Sequence, residues 1–183
     1  MGLESINIHW FKIINSLAGK NPYLDAFMIL FAQYMIFVVP IYLIYLFFRK
    51  NGEDRKFAVF VFISIVLSLG VSMSISHFYY HPRPFAMGLG TTLISHPTDS
   101  SFPSDHTTLI FSFALPFLYF KRYREGAVFL TISVLIGYAR IFCGVHFPFD
   151  IIGGFLVALA VSYILFLFRT PIFRCVSRMP YLS

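Results

Sequence analysis

Three short polar islands interrupt an otherwise oily chain: Arg83-Pro84, Pro103-Ser104-Asp105-His106, and Arg140 followed at +6 by His146 and at +10 by Asp150. Their side chains suit chemistry on a phosphate group. A transferring phosphoryl group spreads negative charge over its oxygens, so a site for it is chiefly a matter of position and positive charge. Arginine answers that need with a planar fork that holds two oxygens and does not lose its proton. Arg83 and Arg140 are therefore the candidates for phosphate contact, although either one alone reads equally well as an interfacial cation snorkelling to water.

The second island opens an apolar segment. Ser104 has the type and place of a helix N-cap, and a helix start offers free N–H groups and a positive dipole end to an anion; simple capping is the plainer reading of Ser104 alone. Asp105 would repel a phosphate, so it either pairs with an arginine or only counters the helix dipole. The third island carries the reactive groups. His146 can act as a nucleophile if one ring nitrogen is free and the other is held, and Asp150, four residues on, is placed to hold it, with Pro148 at a first helical position. The acid would fix the tautomer and stabilise the cation that forms. His106 could protonate a departing oxygen. Asp150 as an ordinary first-turn acid is the alternative.

These residues need elements that bring them together. The chain has 183 residues, 58% hydrophobic and 12% charged, which excludes an ordinary soluble domain and indicates an integral membrane protein. A span takes roughly 20 residues, about 17–25; five segments are candidates, 24–48, 57–78, 104–120, 127–142 and 149–168, of which the third and fourth are short, with polar ends that suggest helices stopping where a water-filled site begins. Residues 2–17 read as an interfacial amphipathic helix with Ile6, Trp10, Ile13, Ile14 and Leu17 on one face, and could insert as a sixth span. The expected fold is an all-α, polytopic transmembrane helical bundle forming one domain over 1–183, with 1–20 interfacial, 21–170 the core and 171–183 a cytoplasmic tail. The N-terminus lacks the pattern of a cleaved signal peptide, so the first span is expected to serve as an uncleaved signal.

Counting segments puts all three islands at one side. Ten of the fourteen basic residues fall on the other: Arg49, Lys50, Arg55, Lys56, Lys121, Arg122, Arg124, Arg169, Arg174 and Arg178. The positive-inside rule places those ten in the cytoplasm and the islands, with the 79–103 loop, outside. Membrane topology thus accounts for the net charge of +6 better than nucleic-acid binding does. Cys143 and Cys175 fall on opposite sides, which argues against a disulfide.

The combined pattern resembles the three-part signature of the type-2 phosphatidate phosphatase and vanadium haloperoxidase superfamily. The texts His81-Pro82-Arg83-Pro84-Phe85, Ser101-Phe102-Pro103-Ser104-Asp105-His106-Thr107-Thr108 and Gly144-Val145-His146-Phe147-Pro148-Phe149-Asp150 are similar in particular to undecaprenyl-pyrophosphate phosphatases of the bacitracin-resistance type. The resemblance implies an undecaprenyl-diphosphate phosphatase without metal or cofactor, working through a phosphohistidine at the outer face of a bacterial inner membrane. It implies His146 as nucleophile, Asp150 as its orienting acid, His106 as general acid, and Arg83, Ser104 and Arg140 as phosphate contacts. A polyprenyl diphosphate lipid would be the partner, met at the bilayer surface.

The chain departs from the pattern at Ser76, where the superfamily usually has a lysine, at Asp105, where glycine is common, and at Ala139, where serine is common. His77 and His81 stand near enough to make up for the lysine, although each reads more plainly as a loop or interfacial residue, while His96 and Asp99 in the long loop could reach a headgroup; His9 reads as interfacial. Rival readings are a broader lipid phosphatase acting on phosphatidate or phosphatidylglycerol phosphate, a lipid phosphotransferase, a non-catalytic phospholipid transporter, and a zinc site, which two arginines would oppose.

Overall fold

The computed structural model describes residues 2–49 and 51–177, and all regular structure in them is helical. Helix α1 (Leu3–Asn15) precedes α2 (Pro22–Ile29), which continues through a π-helical stretch (Leu30–Tyr34) and a 3-10 stretch (Met35–Phe37) into α3 (Val38–Phe48). Then come α4 (Gly52–Phe78), α5 (Asp105–Tyr119), α6 (Tyr123–Phe142), α7 (Pro148–Leu167) and α8 (Arg169–Ser177). Among the described residues, four helices are long and apolar enough to cross a membrane: Pro22–Phe48, Gly52–Phe78, Tyr123–Phe142 and Pro148–Leu167. The protein is a multi-pass membrane protein.

The third expected span is different in kind. Helix α5 has 15 residues, a rise of about 22 Å, less than the roughly 30 Å of a hydrocarbon core. It is the hub, packed against α4, α6 and α7, with ten of its residues buried, Thr107 to Phe117 except Leu109. Ser64, Ser112 and Ser133 lie fully buried along these contacts, and small residues of this sort let helices approach closely. Away from Asp105, Tyr42, Phe113, Phe117 and Phe129 lock α3, α5 and α6 together with ring centroids 4.7–6.2 Å apart.

The first span is not one regular helix. Pro40 has no N–H to give the carbonyl four residues back, and the strain is absorbed upstream in the π and 3-10 turns. Helix α4 starts earlier than expected, because Asn51 caps it by accepting from Glu53 N at 3.1 Å. At that end Asp54 is buried between Arg49, at 3.2 Å, and Arg122, tying the α3–α4 turn to the α5–α6 turn.

Helix α1 turns an unexpected face inward. Asn7, Phe11 and Asn15 are buried, whereas Trp10, Ile13 and Leu17 of the anticipated apolar stripe stay exposed, as an interfacial helix would hold them toward lipid. In the anticipated tail, α8 reaches Ser177, with the Phe173 ring edge-on to Phe60 and tilted against Phe120. Lys50, Arg178 and the side chain of Cys175 lie outside the described residues; Cys143 is buried as a free thiol.

Candidate active site

The helix ends that carry the islands meet at one end of the bundle. Arg83 sits just before a short 3-10 turn (Pro84–Met87) and is buried. Its Nε donates to Asp99 at 2.8 Å, Nη2 to Ser100 O at 3.2 Å, and Nη1 to Val145 O at 3.0 Å. Arg140, in the last turn of α6, is also buried and donates from Nη1 to Ala32 O at 3.2 Å. Ala32 belongs to the π-helical stretch, so the irregular turn ahead of Pro40 presents a carbonyl to this guanidinium. Arg140 Nε is buried with no hydrogen-bond partner, and no carboxylate among the described residues pairs with Arg140. A buried cation in that state calls for an anion.

Both guanidinium groups aim at one atom. Arg83 Nη1 lies 3.1 Å and Arg140 Nη2 3.5 Å from His146 Nε2. A guanidinium only donates, so Nε2 must accept, and the ring proton belongs on Nδ1. On that side stand Ser101 Oγ at 3.3 Å and Asp150 Oδ2 at 3.4 Å. Burial pushes the His146 ring down to about 4, with the Asp150 carboxylate acting the other way. The imidazole is therefore neutral at neutral pH, its free lone pair directed at the two cations.

Asp150 stands where both readings of it would put it. It lies in the first turn of α7, which begins at Pro148 as expected, and Oδ2 accepts from Phe147 N at 2.7 Å. The same oxygen accepts from Ser101 Oγ and faces His146. Ser104 occupies the N-cap position of α5 without making a capping bond. Its hydroxyl instead accepts from Thr107 Oγ1 at 3.1 Å, and its N–H donates to Asp150 O at 3.1 Å. The first N–H groups of α5 thus have no side-chain cap. His106 is half-buried in the first turn of α5, where burial first and the charge of Arg140 next disfavour its protonated form. Asp105 is exposed and accepts from Ser72 Oγ at 2.8 Å; among the described residues it pairs with no arginine.

The long loop contributes more than its composition suggests. Asp99 holds Arg83, and the His96 ring stands edge-on to His146 with centroids 6.3 Å apart. Ser101 was assigned no role above, and no spacing rule links a loop serine to a carboxylate 49 residues on. At the usual lysine position, Ser76 Oγ donates to Phe102 O at 3.0 Å and so holds the loop instead. His77 and His9 are exposed. His81 turns toward Asp150 and Glu4. Helix α1 clamps the loops from above. Asn15 donates to Thr91 O at 2.8 Å and Phe142 O at 2.7 Å and accepts from Thr91 N, while Asn7 accepts from Phe149 N at 3.0 Å.

A bundle of membrane-spanning helices holding an imidazole–carboxylate pair under two buried arginines defines a membrane-embedded enzyme of phosphate chemistry. The sequence model of the PAP2 superfamily matches residues 57–174. The "Putative undecaprenyl-diphosphatase YbjG" of Escherichia coli is 35% identical over 157 residues, 86% of this chain and 79% of that protein. "Undecaprenyl-diphosphatase BcrC" of Bacillus subtilis is 32% identical, covering 89% of this chain and 84% of that one. The crystal structure of Aquifex aeolicus LpxE superposes with a TM-score of 0.73 at 32% identity, over 91% of this chain and 99% of that one. A PAP2-type phosphatidylglycerolphosphate phosphatase of Bacillus subtilis shares the fold at a TM-score of 0.71 and 20% identity, over 93% and 87%. The chain belongs to the PAP2 superfamily, and it is a phosphatase.

One backbone position is decisive for the turn that carries His146. Gly144 has φ 80°, and a Cβ there would stand 2.4 Å from Thr91 O. Gly144→Ala is expected to add about 1–3 kcal/mol of strain and to push the turn off the loop. Phosphatase turnover and melting temperature of the purified variant should both fall.

Proposed function

We propose that this protein hydrolyses a polyprenyl diphosphate, undecaprenyl diphosphate foremost, to the lipid monophosphate and inorganic phosphate through a phosphohistidine at His146. The observation that carries the reading is His146 itself, with Nδ1 held by Asp150 and Ser101 and Nε2 unprotonated before Arg83 and Arg140. Phosphate oxygens would take over the guanidinium donors while Nε2 attacks the terminal phosphorus. The P–O bond to the lipid phosphate breaks and Asp150 stabilises the imidazolium; His106, whose neutral form burial and Arg140 favour, takes up a proton with the arriving diphosphate anion and gives it to the departing oxygen. Water, giving its proton back to His106, then splits the P–N bond. The uncapped start of α5 at Ser104 adds donors for the phosphate.

A lipid substrate is favoured by what adjoins the site. A cavity of about 340 Å³ has Asp105 and His106 at its polar end and Ile36, Leu69, Met73 and Leu109 along its walls. An apolar chain can lie there while its headgroup meets His146. The extracytoplasmic face is favoured by the basic residues gathered at the opposite end, Arg49, Arg55, Lys56, Lys121, Arg122, Arg124, Arg169 and Arg174 among them.

The test is phosphate release by purified protein in detergent, with a strong chelator present, from undecaprenyl diphosphate, phosphatidate and phosphatidylglycerol phosphate. The expected result is a kcat/KM at least about tenfold higher on the diphosphate, a difference of about 1.4 kcal/mol in transition-state binding. Equal or better turnover of the monoesters would replace this substrate by a broader lipid range.

A further inference from the structure

The two oxygens of Asp150 stand in different surroundings. Oδ2 is crowded by Phe147 N, Ser101 Oγ and the His146 ring. Oδ1 is buried and has no hydrogen-bond partner, and the same holds for His81 Nδ1; the two atoms face each other at 3.6 Å. They border a cavity of about 390 Å³ that also meets Glu4, Asn7 and Tyr79. It shares no lining residue with the groove at His106.

The His81 ring is held in this place. It lies parallel to Tyr79 with centroids 6.4 Å apart and edge-on to Phe147 at 5.4 Å, and its Nε2 is 3.5 Å from Glu4 Oε2. Its backbone is fastened to the loop as well: Ser101 N donates to His81 O at 2.7 Å, and His81 N donates to Ser100 Oγ at 3.2 Å. The segment that delivers the imidazole to Oδ1 therefore also delivers the Ser101 hydroxyl to Oδ2.

We infer that His81 is a positioning residue for the phosphoryl transfer, acting through Asp150 from the side opposite His146. A separation of 3.6 Å is just beyond a hydrogen bond, and a small rotation of the ring closes it. With its proton on Nδ1, His81 occupies the otherwise unpaired Oδ1, and the carboxylate is then fixed at both oxygens. A carboxylate held in this way keeps Oδ2 aligned on His146 Nδ1, where the positive charge of the phosphoenzyme develops. Glu4, on the interfacial helix, stands 3.5 Å from Nε2 and in this tautomer receives no hydrogen bond from it. The row His81, Asp150, His146 orients the nucleophile from behind, as outer partners orient metal-bound histidines. This inference rests on the proposed role of His146 and Asp150, and it assigns His81 no contact with phosphate.

Steady-state kinetics of the purified full-length protein on undecaprenyl diphosphate would test it, with His81→Phe, His81→Asn, Asp150→Asn and the His81→Phe/Asp150→Asn double variant. Phenylalanine keeps the ring between Tyr79 and Phe147 and removes the donor. It should lower kcat about 10–100-fold and leave KM within about threefold. Asparagine brings an N–H donor back near the Nδ1 position and should restore most of the loss. In the Asp150→Asn background, His81→Phe should cost little more. A folded His81→Phe enzyme within twofold of wild type would overturn the inference, as would a loss confined to KM, an asparagine variant no better than phenylalanine, or full additivity with Asp150→Asn. Trapping labelled phosphate on the wild-type enzyme separates the two readings. Turnover with no phosphohistidine would sink the covalent route while the His81–Asp150 coupling is still measured, and a trapped phosphohistidine with an indifferent His81 would sink this inference alone.

Discussion

Alanine in place of His146 is expected to take phosphate release down to background, a loss on the order of 10⁶-fold of the kind seen when a catalytic nucleophile is removed. The size follows from how completely the surroundings commit this ring to one task. Its Nδ1 side is occupied by Ser101 and Asp150, and its Nε2 side is approached by N–H donors from Arg83 and Arg140. Burial keeps it neutral by pushing its titration down to about 4, so the lone pair is available at neutral pH without a proton having to leave first. Among the described residues no second imidazole stands in the same relation to both arginines: His106 is on α5, His96 touches the ring edge-on, and His81 lies behind Asp150. The fold should survive the change, because the turn that carries His146 is held by backbone. Val145 N donates to Arg140 O at 3.2 Å, and Leu93 N to Cys143 O at 3.1 Å. The check is a monodisperse variant of unchanged melting temperature, together with acid-labile, alkali-stable phosphate trapped on the wild type and absent from the variant. Appreciable turnover in such a protein would remove His146 from the nucleophile's place.

Much of this site was legible because its residues stand at the ends of apolar runs. Run length alone placed Arg83, Ser104, Arg140 and His146 at one end of the bundle, and Pro148 with Asp150 marked the start of α7. What escaped was whatever depends on contact between distant parts of the chain. The apolar stripe of α1 pointed to lipid, but nothing in it showed that Asn7 and Asn15 on the opposite face would satisfy loop amides more than 70 residues away. Pro40 marked a weak point in the first span without showing that the disturbed turn would offer Ala32 O to Arg140. The 104–120 segment already read as a short helix ending at a site, and only packing showed it to be the buried hub. His81 and Ser101 were visible in the motifs as residue types, but their placement against Asp150 requires the 79–103 loop to fold back on α7.

Asp150→Asn is the companion prediction, with an expected loss of about 10⁴-fold in kcat, the scale at which an orienting acid matters in a histidine-based site. The exchange is nearly isosteric, so it separates charge from shape. Three donors converge on Oδ2, from Phe147 N, Ser101 Oγ and the Nδ1 side of His146, and an asparagine would turn its oxygen toward them. Its amide NH₂ would then face His81, whose Nδ1 can accept in its other tautomer. The α7 start and the loop therefore remain satisfied, and the melting temperature should stay within a few degrees of wild type. What disappears is the negative charge beside Nδ1 when the imidazole becomes cationic on taking the phosphoryl group, so the penalty should fall on kcat, with KM little changed. The reverse outcome, activity within tenfold of wild type and a clearly lowered melting temperature, would assign Asp150 to the start of α7 and leave the orientation of His146 to Ser101.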